Sequence, residues 1–494
     1  MPNETTNEAS EVVQLRIEKF HRMCEQGDYP YAATRFNVNA HTSDINNMFE
    51  DYEGKQVSMA GRVMAKRGQG KIAFFDLLDS AGKIQLYLKA DSFVGDGYEK
   101  ALVCDIGDII GVEGNVLKTQ RGQISILVSK LTLLSKAIQV LPEKFHGLKD
   151  PDLRYRQRYV DLIVTQGVRE VFIARSKIVS SVRRFMDGNG FLEVATPVLS
   201  TLAGGATARP FVTHHNALNM PMYMRIAPEL PLKRLIVGGF DKVYEIANVF
   251  RNEGMDATHN PEFTMMESYQ AYAGYEDVMA MVESLISTVA QEALATTEVE
   301  TSKGMVSLKP PFAKARMDDL VLEHTGVDFD KMQTLEEALE AAKKLHIEVK
   351  AGYGIGKIIE EAFNDYVEDK LLEPTFVTHH PTEISPLSKR CHDDPRYTER
   401  FELFIAGREF ANGFSELNDP FDQRARFKEQ ADKKSAGDDE AHPYDDDYIN
   451  ALEVGLPPTG GVGIGIDRLV MLLTGEESIR DVILFPTMKP IRND

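Results

Sequence analysis

Three separated stretches hold residue types that could do chemistry. In the first, residues 243–251 read as a strand, 252–261 as a loop and 262–272 as a second strand. Side chains alternate along a strand, so Phe263, Met265, Glu267 and Tyr269 share one face. Burying a carboxylate among such neighbours is costly, and Glu267 therefore calls for a cationic partner. In the second, residues 400–416 read as a hairpin turning at Ala406-Gly407. That turn pairs Phe404 with Glu409 and sets Glu402 diagonally beside Glu409 on the same face. Two carboxylates that close repel unless a cation lies between them. Magnesium takes its oxygens from one or two carboxylates plus phosphates. In the third, Gly460, Gly461, Gly463 and Gly465 precede Asp467-Arg468 and a helix over 469–473. Glycine lets backbone approach a ligand closely, and arginine at a helix start suits phosphate.

These residues need a frame. After a helix over 11–25, alternating segments at 56–65, 72–78, 83–88, 108–118 and 123–134 are divided by turn residues, with one helix near 93–104. Five strands in so short a span predict a small Greek-key barrel of the OB type. Such barrels stack bases of single-stranded nucleic acid on aromatics beside a basic groove, a role open to Phe74, Phe75 and Tyr87, which could equally be barrel core. Residues 141–150 read as a linker. Beyond it, helices at 167–188, 275–293, 335–345 and 355–369 mixed with strands predict an α+β domain, with a mostly helical insertion over 312–372.

Composition narrows the class. The net charge of −20 argues against a polyanionic partner, but its distribution is uneven. Residues 54–75 hold five basic side chains (Lys55, Arg62, Lys66, Arg67, Lys71) and 115–136 hold four (Lys118, Arg121, Lys130, Lys136), neither with an acid. Two such runs in one barrel predict a polyanion-facing surface. Residues 437–447 carry six acids and no basic residue. Three scattered cysteines suit a reducing, cytosolic setting, and no apolar run reaches membrane-spanning length. Gly352 to Lys357 has the wrong spacing for a phosphate-binding loop and reads as a turn entering a helix. The adjacent pairs His214-His215 and His379-His380 point apart on a strand, so no zinc site is expected.

Gly-Phe-Leu-Glu-Val-Ala-Thr-Pro (190–197), Val-Phe-Arg-Asn-Glu-Gly (249–254) with His259 to Phe263, and Gly-Ile-Gly-Ile-Asp-Arg (463–468) resemble motifs one, two and three of class II aminoacyl-tRNA synthetases. Arg-Tyr-Arg-Gln-Arg-Tyr (154–159), Ala-Gly-Gly-Ala-Thr-Ala-Arg-Pro-Phe (203–211), Arg-Ile-Ala-Pro-Glu-Leu (225–230) and Asn-Gly-Phe-Ser-Glu-Leu-Asn-Asp (412–419) resemble the lysyl branch. So do residues 437–441 and 455–459, and the likeness runs from about residue 30 to the end. It implies an N-terminal anticodon-binding OB barrel over 1–146 and a C-terminal antiparallel-sheet catalytic domain over 147–494, in a cytoplasmic homodimer with no membrane. The implied activity is ATP-dependent activation of L-lysine and its transfer to tRNA(Lys), with Mg2+.

The same resemblance implies that Arg251 bridges the lysine carboxylate and the α-phosphate, and that Phe263 and Arg468 sandwich adenine. It sets Glu253, His259 and Asn260 on the nucleotide, with Arg251, Glu253, His259 and Arg468 catalytic and Glu402 and Glu409 on magnesium. Gly205 and Glu229 would meet the α-amino group, while Glu267, Tyr269, Asn412, Phe414 and Glu416 would line the side-chain pocket. Arg67, Phe74 and Gln85 match anticodon contacts. An ε-ammonium has three donors and needs anionic acceptors, which Glu267 and Glu416 supply. Pro231 and Phe410-Ala411 depart from the family pattern near that pocket, and Gln123 departs in the barrel. Two rival readings are a lysine-activating paralogue with another acceptor and a non-catalytic tRNA-binding regulator, although Arg251, Glu409 and Arg468 are all retained.

Overall fold

A computed structural model describes residues 4–142, 148–206, 208–350, 352–435 and 443–491. The chain forms two compact units, Met1–Leu148 and Lys149–Asp494. Part of the linker at 141–150, Thr207 of the 203–211 stretch and 436–442 of the acidic run lie outside the described residues. No helix among the described residues is long and apolar enough to cross a membrane.

In the first unit, β1 (Gln56–Gln69), β2 (Ile72–Leu78), β3 (Lys83–Lys89), β4 (Ile109–Lys118) and β5 (Ile124–Ser135) close a barrel in the order β1-β2-β3-β5-β4. Alternation sends Phe75, Leu77, Leu86, Val112 and Ile126 inward, where they are fully buried. Phe75 is therefore core, and of the two adjacent phenylalanines only Phe74 faces outward. The first helix, Glu4–Glu25, begins earlier than its apolar stripe suggests. Arg16 fastens it, donating to the carbonyls of Ala137, Gln139 and Ile106 at 2.7–3.1 Å.

The second unit is built on an eight-stranded sheet. Its strands are β6 (Leu192–Glu193), β7 (Lys242–Phe250), β8 (Glu262–Ala271), β9 (Ala313–Arg316), β10 (Thr375–Thr378), β11 (Arg400–Ile405), β12 (Arg408–Ser415) and β13 (Thr459–Gly465). They lie in the order β9-β10-β11-β12-β13-β8-β7-β6, antiparallel except at the two edges. Helices Val168–Gly188, Tyr275–Leu294 and Ile466–Thr474 cover one face over a core that includes Ile178, Leu285, Met266, Val462 and Ile464. The opposite face carries the polar side chains of β8 and β12. The region expected as a helical insertion has helices Met317–Thr325, Leu335–Lys344 and Ile355–Tyr366 around Val321, Ile359 and Phe363. It begins with β9, however, so its first residues belong to the main sheet.

Candidate active site

The polar face floors a cleft of about 1130 Å³. Phe263, Met265, Glu267 and Tyr269 all line it, as period-two alternation requires, and Met266 between them enters the core behind. On the neighbouring β13, glycine is a steric necessity. A Cβ on Gly461 would collide with the Glu416 carboxylate and the Tyr269 ring, and one on Gly463 would come within 2.9 Å of the Met265 methyl.

The β11–β12 hairpin turns at Ala406 and Gly407, both at positive φ (52° and 69°), and pairs Phe404 with Glu409 as expected. One residue further the register slips. Leu403 faces Ala411 and Glu402 faces Asn412, so Phe410 is the extra residue of a β-bulge. Glu409 and Asn412 are three apart and would point to opposite faces of a regular strand; the bulge sets both on the cleft. Phe410 and Ala411 together join the core behind. The two residues that depart from the family pattern are thus the ones that form the bulge.

Glu402 and Glu409 do line one cleft, but they are not a bare repulsive pair. Arg400 donates to Glu402 at 2.7 Å, and Arg468 donates to Glu409 Oε2 at 3.1 Å and to its carbonyl at 2.7 Å. Each carboxylate already has a guanidinium partner, which corrects the expectation of an unneutralised pair. Burial still dominates at Glu402. With Glu409 and Glu360 opposing its charge, it is pushed up to about 8 despite Arg400.

Arg251 follows β7 and is held by its backbone N–H on the Pro261 carbonyl (2.9 Å). Its guanidinium lies 5.2 Å over the Phe263 ring, its buried Nε has no partner among the described residues, and burial presses its pKa below the usual value. A desolvated guanidinium without a close anion suits an anionic ligand. Asn260 is buried, with Nδ2 donating to the Glu262 carbonyl (2.6 Å) and Oδ1 without a partner among the described residues. Glu253 accepts from the Arg209 N–H (3.3 Å), and exposed His259 pairs with Asp256 (2.8 Å). Asp467 accepts from the Thr264 N–H (2.6 Å) and pairs with Arg175, pinning the start of the Arg468 helix to β8.

The end of the cleft lined by Gly205 and Tyr269 is strongly acidic. Glu229, Glu267 and Glu416 are all buried. Tyr269 donates to Glu267 at 2.9 Å. Burial raises Glu267 well above the ordinary carboxylate range and pushes Glu416 up to about 8. Gly205 sits at φ +94°, and a Cβ there would come within 3.2 Å of the Glu229 Cβ. Asn412 is turned by Arg400, which donates to its Oδ1 at 3.2 Å. Pro231 fits because it is the third residue of helix Glu229–Val237, where an N–H would lack a helical acceptor.

Sequence reasoning missed Lys233. It is fully buried, donates to Glu229 at 2.5 Å, pairs with Glu416, and lies 5.1 Å over the Phe414 ring. The cation that Glu267 calls for is supplied by Lys233 and Arg251, both of which favour its charged form. The i,i+4 spacing of Glu229 and Lys233 on a helix was the available signal. Glu383 was also missed: it lines the cleft and accepts from the N–H groups of Gly354 and Gly356 (2.9 Å each), which begin helix Ile355–Tyr366. Residues 352–357 are thus a turn entering a helix.

On the barrel, Arg67, Phe74 and Gln85 fall on one outward strip. Arg67 lies opposite Phe74, which stacks on Tyr87 (5.1 Å, 11° between planes). Arg67 pairs with Asp76 at 2.6 Å, and Gln85 accepts from Ser125 at 2.9 Å. The basic runs are less available than expected. Arg62 donates to the Gly107 carbonyl, Lys66 to the Leu102 carbonyl, Lys130 to Glu113, and Lys136 is buried on Asp105 and Asp108. Lys55, Arg67, Lys71, Lys118, Arg121 and Lys130 are exposed, Lys130 while paired with Glu113.

An OB barrel followed by an antiparallel sheet with this cleft defines a class of enzyme, and sequence comparison agrees. The profile of class II tRNA synthetases (D, K and N) matches residues 150–489, and that of the OB-fold nucleic acid binding domain matches 57–134. The chain belongs to the class II tRNA synthetases of the D, K and N group. Among its relatives, a lysine–tRNA ligase of Thermoanaerobacter pseudethanolicus is 55% identical over 99% of this chain and 98% of that protein. The lysine–tRNA ligases of Moorella thermoacetica (53%, covering 97% and 98%) and Bacillus thuringiensis (50%, covering 99% of each) are similar over the same span.

Proposed function

We propose that this chain is an ATP-dependent lysine–tRNA ligase that forms lysyl-adenylate and passes the lysyl group to the 3′ end of tRNA(Lys). One observation carries the choice of lysine over aspartate or asparagine: Glu229 and Glu267, both buried, line one end of the cleft, and the buried Glu416 carboxylate lies directly against Gly461, which lines it too. That lining repels an acidic side chain and suits a second ammonium group.

In this reading Arg251 holds the lysine carboxylate against the α-phosphate. A carboxylate oxygen attacks the α-phosphorus, the bond to the β-phosphate oxygen breaks, and pyrophosphate leaves. A terminal ribose hydroxyl of tRNA then attacks the carbonyl and AMP departs. Orientation and charge stabilisation supply the rate, without a covalent enzyme intermediate. Phe263 and Arg468 take the adenine, and Asn260 Oδ1, Glu253 and His259 take polar groups of the nucleotide. Gly205 and Glu229 receive the α-ammonium; Glu416, Tyr269, Glu267, Asn412 and Phe414 receive the side chain.

A magnesium ion would fit Glu402 and Glu409, which line one cleft, since burial keeps the Glu402 carboxyl raised despite Arg400 and a cation there would favour its charged form. Its chemistry there is to offset charge on the ATP phosphates. Arg67, Phe74 and Gln85 form the anticodon contact, and the assembly is a cytoplasmic homodimer. Charging of purified tRNA with lysine by the full chain tests the proposal. Lysine-dependent pyrophosphate exchange without charging would favour a different acceptor, and the absence of both would favour a regulator.

A further inference from the structure

The chemistry assigned to the amino-acid pocket leaves Lys233 unexplained. A lysine side chain at zero exposure is rare, and its burial must be offset by well-placed acids. Here the acids that offset it are two that the substrate itself would use. The Nζ reaches Glu229 on its own helix and Glu416 just beyond β12, while the rings of Tyr269 (5.8 Å) and Phe414 (5.1 Å) close over it. Glu267 on β8, Tyr448 on helix Asp446–Gly455 and Tyr269 also act on this cluster, as does Arg251, whose charge this reading gives to the carboxylate of the ligand. Among them stand three carboxyl groups and one ammonium. Resting on the reading that this pocket takes lysine, we infer that Lys233 is a specificity-determining residue, a built-in counter-ion that cancels one of the three carboxylates so that the remainder matches a ligand bearing two ammonium groups.

The physical reason is charge count in a dry site. Without an internal cation, three carboxylates would face two ammonium groups, and the surplus charge would be removed by keeping a carboxyl protonated. With Lys233 present, Glu229 and Glu416 each retain a lone pair direction for the ligand while their positions are fixed from behind. Burial alone would pull Lys233 down, but Glu229 and Glu416 outweigh it and hold it above its ordinary value. It therefore stays charged across the working range of pH.

The test is Lys233→Met, which keeps most of the volume and removes the charge. Lysine-dependent pyrophosphate exchange by the full chain would be followed from pH 6.5 to 9, with melting temperature as a check on folding. The expected result is a lysine KM raised at least tenfold near pH 7, an ATP KM within twofold of wild type, and a loss that shrinks as pH rises. The double variant Lys233→Met/Glu267→Gln restores the count, with two carboxylates for two ammonium groups, and is expected to return the pH profile toward wild type. A loss in Lys233→Met that is independent of pH, or that falls equally on ATP, would overturn the proposal in favour of a packing role. Should the single variant fail to fold, the double variant decides alone: a folded protein with a pH profile unlike wild type overturns the inference. Failure of the wild type to exchange with lysine would instead overturn the substrate reading.

Discussion

At the scale of single residues, the cleft is a set of buried charges awaiting partners. Arg251 has an unsatisfied Nε, and Glu267 and Glu416 have carboxyl groups raised by burial. Burial holds the Glu416 carboxyl up at about 8, and an ammonium ligand is best held by the carboxylate. Lysine binding should therefore release protons near pH 7 and strengthen as pH rises toward 8. It should then level off until the ε-ammonium itself titrates, ordinarily near about 10.4. Calorimetric titration of lysine in two buffers of different ionisation enthalpy reads this directly, and equal apparent enthalpies would contradict it. Glu416→Gln should raise the lysine KM by roughly 10- to 100-fold, corresponding to about 1.5–3 kcal/mol for a hydrogen bond to a charged group. Its ATP KM should be preserved. Lys233 keeps Glu229 as a partner, so the fold should survive. An unchanged lysine KM would remove Glu416 from the pocket.

At the scale of elements, two local devices decide what the strands present. The bulge at Phe410 sets Glu409 and Asn412 on the same face, and the arginines beside Glu402 and Glu409 take up part of their charge. Glu402→Gln and Glu409→Gln should each raise the magnesium concentration needed for half-maximal exchange. Glu409→Gln loses one partly exposed ion pair, so melting should change by no more than about 1 kcal/mol in free-energy terms, and Glu402→Gln replaces a mostly buried carboxylate, whose charge burial already opposes, with a neutral group. A normal magnesium profile together with a large drop in melting temperature would make both carboxylates structural. The barrel offers a sharper contrast in adjacent residues. Phe74→Ala should weaken tRNA charging by about 1–3 kcal/mol, the cost of a lost base stack, and leave exchange intact. Phe75→Ala should instead destabilise the barrel by roughly 3–5 kcal/mol, because its ring is fully buried. Denaturation and charging assays on the two variants separate these outcomes; equal effects would mean that both rings are core.

At the scale of the whole molecule, a chain of net charge −20 must still take a polyanion. Six basic residues of the two barrel runs are exposed, two of them (Arg67 and Lys130) in ion pairs, and the other three are turned to carbonyls and acids of the barrel itself. Each phosphate contact to a single strand contributes about −0.7 to the slope of log affinity against log salt. An anticodon stem-loop should accordingly bind the full chain with a slope no steeper than about −4.2, while exchange changes little with salt. A slope near −6 would mean that the committed side chains, Lys136 among them, do reach phosphate.

Some of this was decided by the sequence alone, because strand alternation and turn chemistry are local. Phe263, Met265, Glu267 and Tyr269 share a face for any strand of that register, and Ala406-Gly407 dictates which residues pair across the hairpin. The five barrel strands and the long helices are legible for the same reason, and their ends move by a few residues, except that the first helix starts at Glu4. Tertiary structure decided the rest. Glu416 and Lys233 are far apart in the chain, and no periodicity predicts that a strand end and a helix will share one buried charge. The bulge at Phe410 repays its irregular pairing by sending Phe410 and Ala411 into a core shared with distant helices. Which of Phe74 and Phe75 faces inward depends on register in a closed barrel, and whether a basic residue meets solvent or a carbonyl depends on the loops packed beside it. Local geometry fixed which side chains could act together. Long-range packing set the charge, solvation and partner of each.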